Sequence, residues 1–164
     1  MKTTLDGNMS GVITEILAKK GHLEAFQNAD RFDCEEDEGE FLLKLSIEGF
    51  MPLVIERFSS RVTVTHYREQ NGDLIADPDV EFRILKGGEW LPVVYQDTFG
   101  YRRAVETSEG GKLLVNTAEM KSLQRFLKMW ARNLKAQGWD EAKIIKSSLK
   151  AQKSEAESKE ERVA

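Results

Sequence analysis

Between Phe41 and Val115, one short segment after another alternates apolar and polar residues, and turn residues separate the segments. Successive side chains of a strand point to opposite faces, so this pattern dictates strands with one face to bury. Phe41, Leu43, Leu45 and Ile47 alternate with Leu42, Lys44, Ser46 and Glu48, and Gly49 ends the run. Leu53 to Phe58 follows Pro52, and Ser59-Ser60 turns the chain. Val62, Val64 and His66 then alternate with Thr63, Thr65 and Tyr67. Val80 to Leu85 leads into the hairpin connection Lys86-Gly87-Gly88-Glu89, and Trp90 to Gln96, Gly100 to Glu106 and Lys112 to Val115 complete the series. Short strands joined by short turns define an antiparallel meander.

The period changes on either side. Val12, Ile13, Ile16 and Leu17 keep helical spacing behind Asn8 or Ser10, either of which can cap, and Lys19-Lys20-Gly21 closes the helix. His22 to Asn28 reads as one further turn, and the acidic segment up to Glu40 as an exposed loop. Asn116 or Thr117 caps a longer helix with Met120, Leu123, Leu127, Trp130 and Leu134 on one face and Phe126 at its margin. Gly138 stops it, and Trp139 reads as a cap over its end. A further helical stretch is expected from Asp140, with Ile144, Ile145 and Leu149 as its apolar patch. The expectation is one α+β domain over residues 1–150, an antiparallel sheet of about five to seven strands packed by an N-terminal helix and a long C-terminal helix. Residues 151–164 carry no apolar face and form a charged tail, helical or disordered.

Composition excludes several classes. No apolar run approaches the roughly 18 residues a membrane helix needs, and Met1 to Asn8 lacks the apolar core of a signal peptide. The single cysteine, Cys34, permits neither an intrachain disulfide nor a cysteine zinc cage, and its acidic neighbours disfavour a thiolate. A cytoplasmic protein is expected. The net charge of -4 is unevenly spread. Glu24 to Glu48 holds nine acids against Arg31 and Lys44, whereas Met120 to Trp139 holds five basic residues and no acid.

Chemistry-bearing side chains concentrate in the segment from His66 to Phe82. His66 is in phase with Val62 and Val64, which makes it a core histidine held by a hydrogen bond, or a general acid/base with Glu69 or Asp73. Asn71-Gly72 and Asp77-Pro78 are turn signals. Asn71, Asp73, Asp77, Asp79 and Glu81 form a string of oxygens suited to a hard cation, but Gly72 and the interrupting Leu74-Ile75-Ala76 miss the calcium-loop spacing. No nucleophile elbow, phosphate loop or zinc-protease motif occurs, so no catalytic residue, metal or cofactor is assigned.

Met51-Pro52-Leu53, His66-Tyr67, Glu69-Gln70-Asn71-Gly72-Asp73-Leu74 and Asp77-Pro78 together resemble a family of small uncharacterised bacterial proteins. Tyr95-Gln96-Asp97 with Gly100-Tyr101, and Trp130 with Asn133-Leu134 and Gln137-Gly138, extend the likeness over about residues 45–138. That family is a domain of unknown function associated with phages and conjugative elements. The resemblance implies an accessory protein of a mobile element, with antagonism of host defence among the roles left open; it brings no activity, fold or site.

Lys121, Arg125, Lys128, Arg132 and Lys135 recur every three or four residues opposite the apolar stripe, and Lys143, Lys146 and Lys150 can extend the row. Such a face is simply solvated, is paired with Glu35-Glu36-Asp37-Glu38 of the same chain, or meets an anionic partner. The first expectation is a non-enzymatic interaction protein that docks on a protein partner through this row and through Glu69, Gln70, Asn71 and Asp73. The alternatives are nucleic-acid binding by the basic helix, and a small enzyme or metal-dependent site at His66, Tyr67, Asp77 and Asp79.

Overall fold

The computed structural model describes residues 4–29 and 40–149. Two helices come first, α1 (Met9–Lys19) and the short α2 (Leu23–Asn28). Strands β1 (Glu40–Ser46), β2 (Leu53–Phe58), β3 (Arg61–Gln70), β4 (Asp73–Ile84), β5 (Trp90–Asp97) and β6 (Gly100–Arg103) follow as a meander. A ribbon of β7 (Val105–Thr107) and β8 (Leu113–Val115) leads into α3 (Thr117–Gln137), a short 3-10 turn (Trp139–Glu141) and β9 (Lys143–Leu149). The large sheet has seven strands in the order β6-β5-β4-β3-β2-β1-β9, every pair antiparallel. This is the expected α+β architecture.

The alternation decides which side of the sheet is covered. Phe41, Leu43 and Leu45 of β1, Leu53 and Ile55 of β2, Val62 and Val64 of β3, and Val80 and Phe82 of β4 are buried in one cluster. The same cluster takes in Val12, Ile13, Ile16 and Leu17 of α1 and Met120, Leu123, Leu127, Trp130 and Leu134 of α3. The helix starts and stops are local chemistry. Asn116 Oδ1 accepts the Glu119 N–H at 3.1 Å, capping α3, and Gly138 ends it at φ 79°. Ala104 hangs this cap on the sheet, donating to Val93 O and accepting the Asn116 N–H, both at 2.8 Å.

Three expectations are corrected. Asn8 occupies the cap position of α1 but is left-handed at φ 74°, with its side chain making no cap bond. The carboxylate of Asp6 serves instead, accepting the N–H groups of Asn8 at 3.1 Å and Ser10 at 2.7 Å. Asp77-Pro78 is not a turn: β4 runs through it, and the β3–β4 register shifts between Thr65 and Tyr67. Proline has no N–H to give a ladder, and a bulge is where a strand tolerates that loss. Trp139, just past the helix end, is fully buried, and its Nε1 donates to Gln137 Oε1 of the last turn at 2.9 Å.

The third correction is the largest. The stretch after Asp140 is no helix; Lys143–Leu149 is strand β9, antiparallel to the outer edge of β1, with Leu42 opposite Ser148 and Ser46 opposite Lys143. Adjacent isoleucines and serines are indifferent helix formers, and an unpaired strand edge offers their backbone a row of hydrogen-bond partners along one side. The tail at 151–164 and the acidic stretch Glu35 to Glu38 with Cys34 lie outside the described residues.

The core packing predicts a specific loss. Leu127 is fully buried between α3 and the sheet, so Leu127→Ala leaves a cavity and costs about 2–5 kcal/mol in urea unfolding at constant m-value.

Candidate functional site

The residues from His66 to Asp79 are distributed by the hairpin rather than gathered. Asn71 at φ 53° and Gly72 at φ 83° make the two-residue turn joining β3 to β4, a conformation whose twist suits a hairpin. Glu69, Gln70, Asn71 and Asp73 stand exposed at this tip. Neighbouring residues of a strand face opposite ways, which separates His66 from Tyr67. His66 enters the core, 8 % exposed, with its ring 5.6 Å from that of Trp130 and 5.5 Å from that of Trp139. Its Nδ1 lies 3.2 Å from Met51 O and 3.3 Å from Pro52 O; a carbonyl only accepts, so Nδ1–H donates. Burial pushes the His66 pKa down, against the opposing pull of these two bonds and of the Asp77 charge.

The carboxylates are engaged elsewhere. Asp77 accepts the Thr98 hydroxyl at 2.6 Å and lies 3.6 Å from Arg68 Nε, tying the hairpin to the β5–β6 turn. Asp79 accepts the Thr65 hydroxyl at 2.9 Å. Burial pushes its carboxyl up against the lowering effect of that bond; it also raises Glu56 and the Tyr67 phenol, and neighbouring carboxylates raise those two further. Among the described residues no group of three or more His, Cys, Asp and Glu is placed to hold a metal ion. The oxygens of Asn71, Asp73, Asp77, Asp79 and Glu81 are strung along a hairpin tip and a strand, so they do not converge.

The basic row stays together. Lys121, Arg125, Lys128, Arg132 and Lys135 are all exposed, while Leu123, Leu127, Trp130 and Leu134 on the opposite face are buried. Among the described residues none of the five forms an ion pair. Met129, 53 % exposed, flanks the row on the helix surface, one turn from Arg125. The row ends with α3, because Lys143 and Lys146 belong to β9 on the far edge of the sheet. Pairing of this face with Glu35-Glu36-Asp37-Glu38 lies outside the described residues, as does Lys150.

One cavity has no counterpart in the motifs. Tyr95, Asp97, Arg102 and Ala104 from the sheet meet Glu119, Ser122, Leu123 and Phe126 from α3 around about 200 Å³. Tyr95 donates to Asp97 Oδ2 at 2.8 Å, and its ring meets Phe126 edge-on at 5.0 Å. Burial, followed by that carboxylate, pushes the Tyr95 phenol up to about 12. Its only sequence signal is Glu119, Ser122 and Phe126 at three- and four-residue spacing, one step round the helix from the core stripe.

The fold and these faces define an α+β domain with an exposed cationic helix. Residues 12–139 match the family model of a domain of unknown function, DUF6908, and the chain belongs to that family. No curated protein and no solved structure matches it. Among the described residues no helix is long and apolar enough to cross a membrane.

The position of His66 sets a pH dependence. Its folded-state pKa lies below the ordinary 6.5, so the unfolded chain takes up the proton first as pH falls. Stability is full above about pH 6.5 and is lost as pH falls through the depressed folded-state value. Urea midpoints measured across this window should fall in the wild type and fall less in His66→Gln.

Proposed function

We propose that this protein is a non-enzymatic docking module whose α3 seats its cationic face on an acidic surface of a protein partner. The observation that carries the reading is the row of Lys121, Arg125, Lys128, Arg132 and Lys135, exposed and without an ion pair among the described residues. Like charges three or four residues apart cost a helix a few tenths of a kcal/mol per pair, and an acidic partner offsets that cost. Met129 favours protein over nucleic acid: an exposed apolar side chain flanking the cations suits an interface that combines apolar and charged contacts.

Glu69, Gln70, Asn71 and Asp73 supply a second contact, since the hairpin tip is exposed and spends no side chain on the core. The sequence resemblance adds the setting, an accessory role in a bacterial phage or conjugative element with antagonism of host defence as the purpose of docking, and the single cysteine adds a reducing cytoplasm. His66 turns into the core while Asp77 and Asp79 of β4 accept the Thr98 and Thr65 hydroxyls, an arrangement that does not favour an enzyme centred on His66, Tyr67, Asp77 and Asp79.

Affinity capture from bacterial lysate tests the reading. A partner protein should be retained stoichiometrically after nuclease treatment, released at high salt, and lost with Arg125→Glu/Arg132→Glu. Capture that ignores the double substitution sinks the proposal, and recovery of nucleic acid alone replaces it with the phosphate-backbone alternative.

A further inference from the structure

At the N-terminal half of the basic row the helix is not a plain convex surface. Gly7, Lys121, Gln124, Arg125 and Lys128 line an open recess of about 300 Å³. Its second wall is the turn before α1, and two features hold that turn in place. Asp6, 2 % exposed, spends its carboxylate on the N–H groups of Asn8 and Ser10. Gly7, at φ 62°, brings its backbone hard against α3: a Cβ there would lie 2.5 Å from Lys128 N and 2.8 Å from Lys128 Cα. Only glycine meets both the conformation and the approach.

The chemistry of the lining is one-sided. Its exposed surface is mostly aliphatic, from the stems of Lys121, Arg125 and Lys128, and these side chains bring three cations to it, with one carboxamide and no carboxylate. The nearest acid in sequence, Asp6, has turned both oxygens to backbone donors. None of the three cations is in an ion pair among the described residues. A cationic recess of this kind selects anions, and its charge selects among them. One carboxylate would balance one cation of three. A phosphomonoester brings close to two negative charges near neutral pH and three acceptor oxygens. The Arg125 guanidinium can grip two of these as a fork, with Lys121 and Lys128 as point charges. The aliphatic stems of the lysines and arginine leave apolar wall for the carbon that bears the ester.

We infer that this recess is a phosphomonoester site, and that it takes a phosphorylated side chain of the docking partner. The partner rests on the docking reading above; the anion preference of the recess does not. Arg132 and Lys135 continue the row beyond the recess, where they meet acidic residues adjoining the phosphorylated one.

Amide chemical-shift titration of the full chain at low salt and near neutral pH tests this with small anions alone. Phenyl phosphate should give saturable shifts at Gly7, Gln124, Arg125 and Lys128. Dimethyl phosphate, a singly charged diester, and benzoate should bind about tenfold more weakly or less. Arg125→Ala should weaken phenyl phosphate by a similar factor, whereas Arg132→Ala, outside the recess, should leave it unchanged. Shifts that do not saturate, or that spread evenly along α3 and respond equally to Arg132→Ala, overturn the site. Equal affinity for dimethyl phosphate overturns the phosphomonoester in favour of a nucleic-acid backbone. The two readings fail separately. Phosphate binding without partner capture discredits the docking reading alone, and charge-dependent capture without phosphate binding discredits the recess alone.

Discussion

The seam between α3 and the sheet, where Trp130, His66 and Trp139 meet, is the contact on which the remaining structure depends. His66 comes from β3 at the middle of the meander, Trp130 from the penultimate turns of α3, and Trp139 from the turn that ends it. Three large rings thus fix the height and rotation of one helix over one strand. An imidazole at this position must remain neutral to stay buried, and the Met51 and Pro52 carbonyls hold its proton on Nδ1. The same residues therefore hold the chain leading into β2. With the seam set, the rotation of α3 is no longer free: its apolar stripe faces inward and its five cations face out.

That geometry separates two economies in the molecule. On the covered side burial is nearly complete and polar groups are matched one by one, as with Asp6 at the start of α1 and Arg57 donating to the Phe26 carbonyl at 3.0 Å. On the outer face of α3 the charges are of one sign and, within the described residues, not matched. A helix can carry such a row because tertiary packing, rather than its own surface, supplies its stability. The cost of mutual repulsion is small beside the burial of Leu127 and Trp130.

How much of this was legible in the sequence depended on whether its cause was local. Period-two runs gave the strands, and the stripe from Met120 to Leu134 gave α3 with its Asn116 cap and Gly138 stop, because side-chain direction and capping are settled within a few residues. The lysine and arginine row was readable for the same reason. Asp77-Pro78 misled because its turn chemistry was outweighed by cross-strand pairing with β3. Strand β9 was missed because nothing between Lys143 and Leu149 specifies a strand; the free edge of β1 does. The Tyr95–Phe126 cavity and the recess at Gly7 were invisible on similar grounds. Their walls come from segments far apart in the chain, and the meaning of Gly7 lies in the nearness of Lys128.

Pairing of β1 with β9 joins segments about a hundred residues apart, and it orders events on the ribosome. The meander from β1 to β6 can zip up hairpin by hairpin as it emerges, since each strand pairs with the one just made. The outer edge of β1 must wait, bare, until the chain through Leu149 has been released. An unpaired edge invites other strands throughout that interval. Lys44, near the centre of β1 and later opposite Lys146, puts a charge on the waiting edge. It is a poor neighbour for its final partner and a useful guard before that partner arrives.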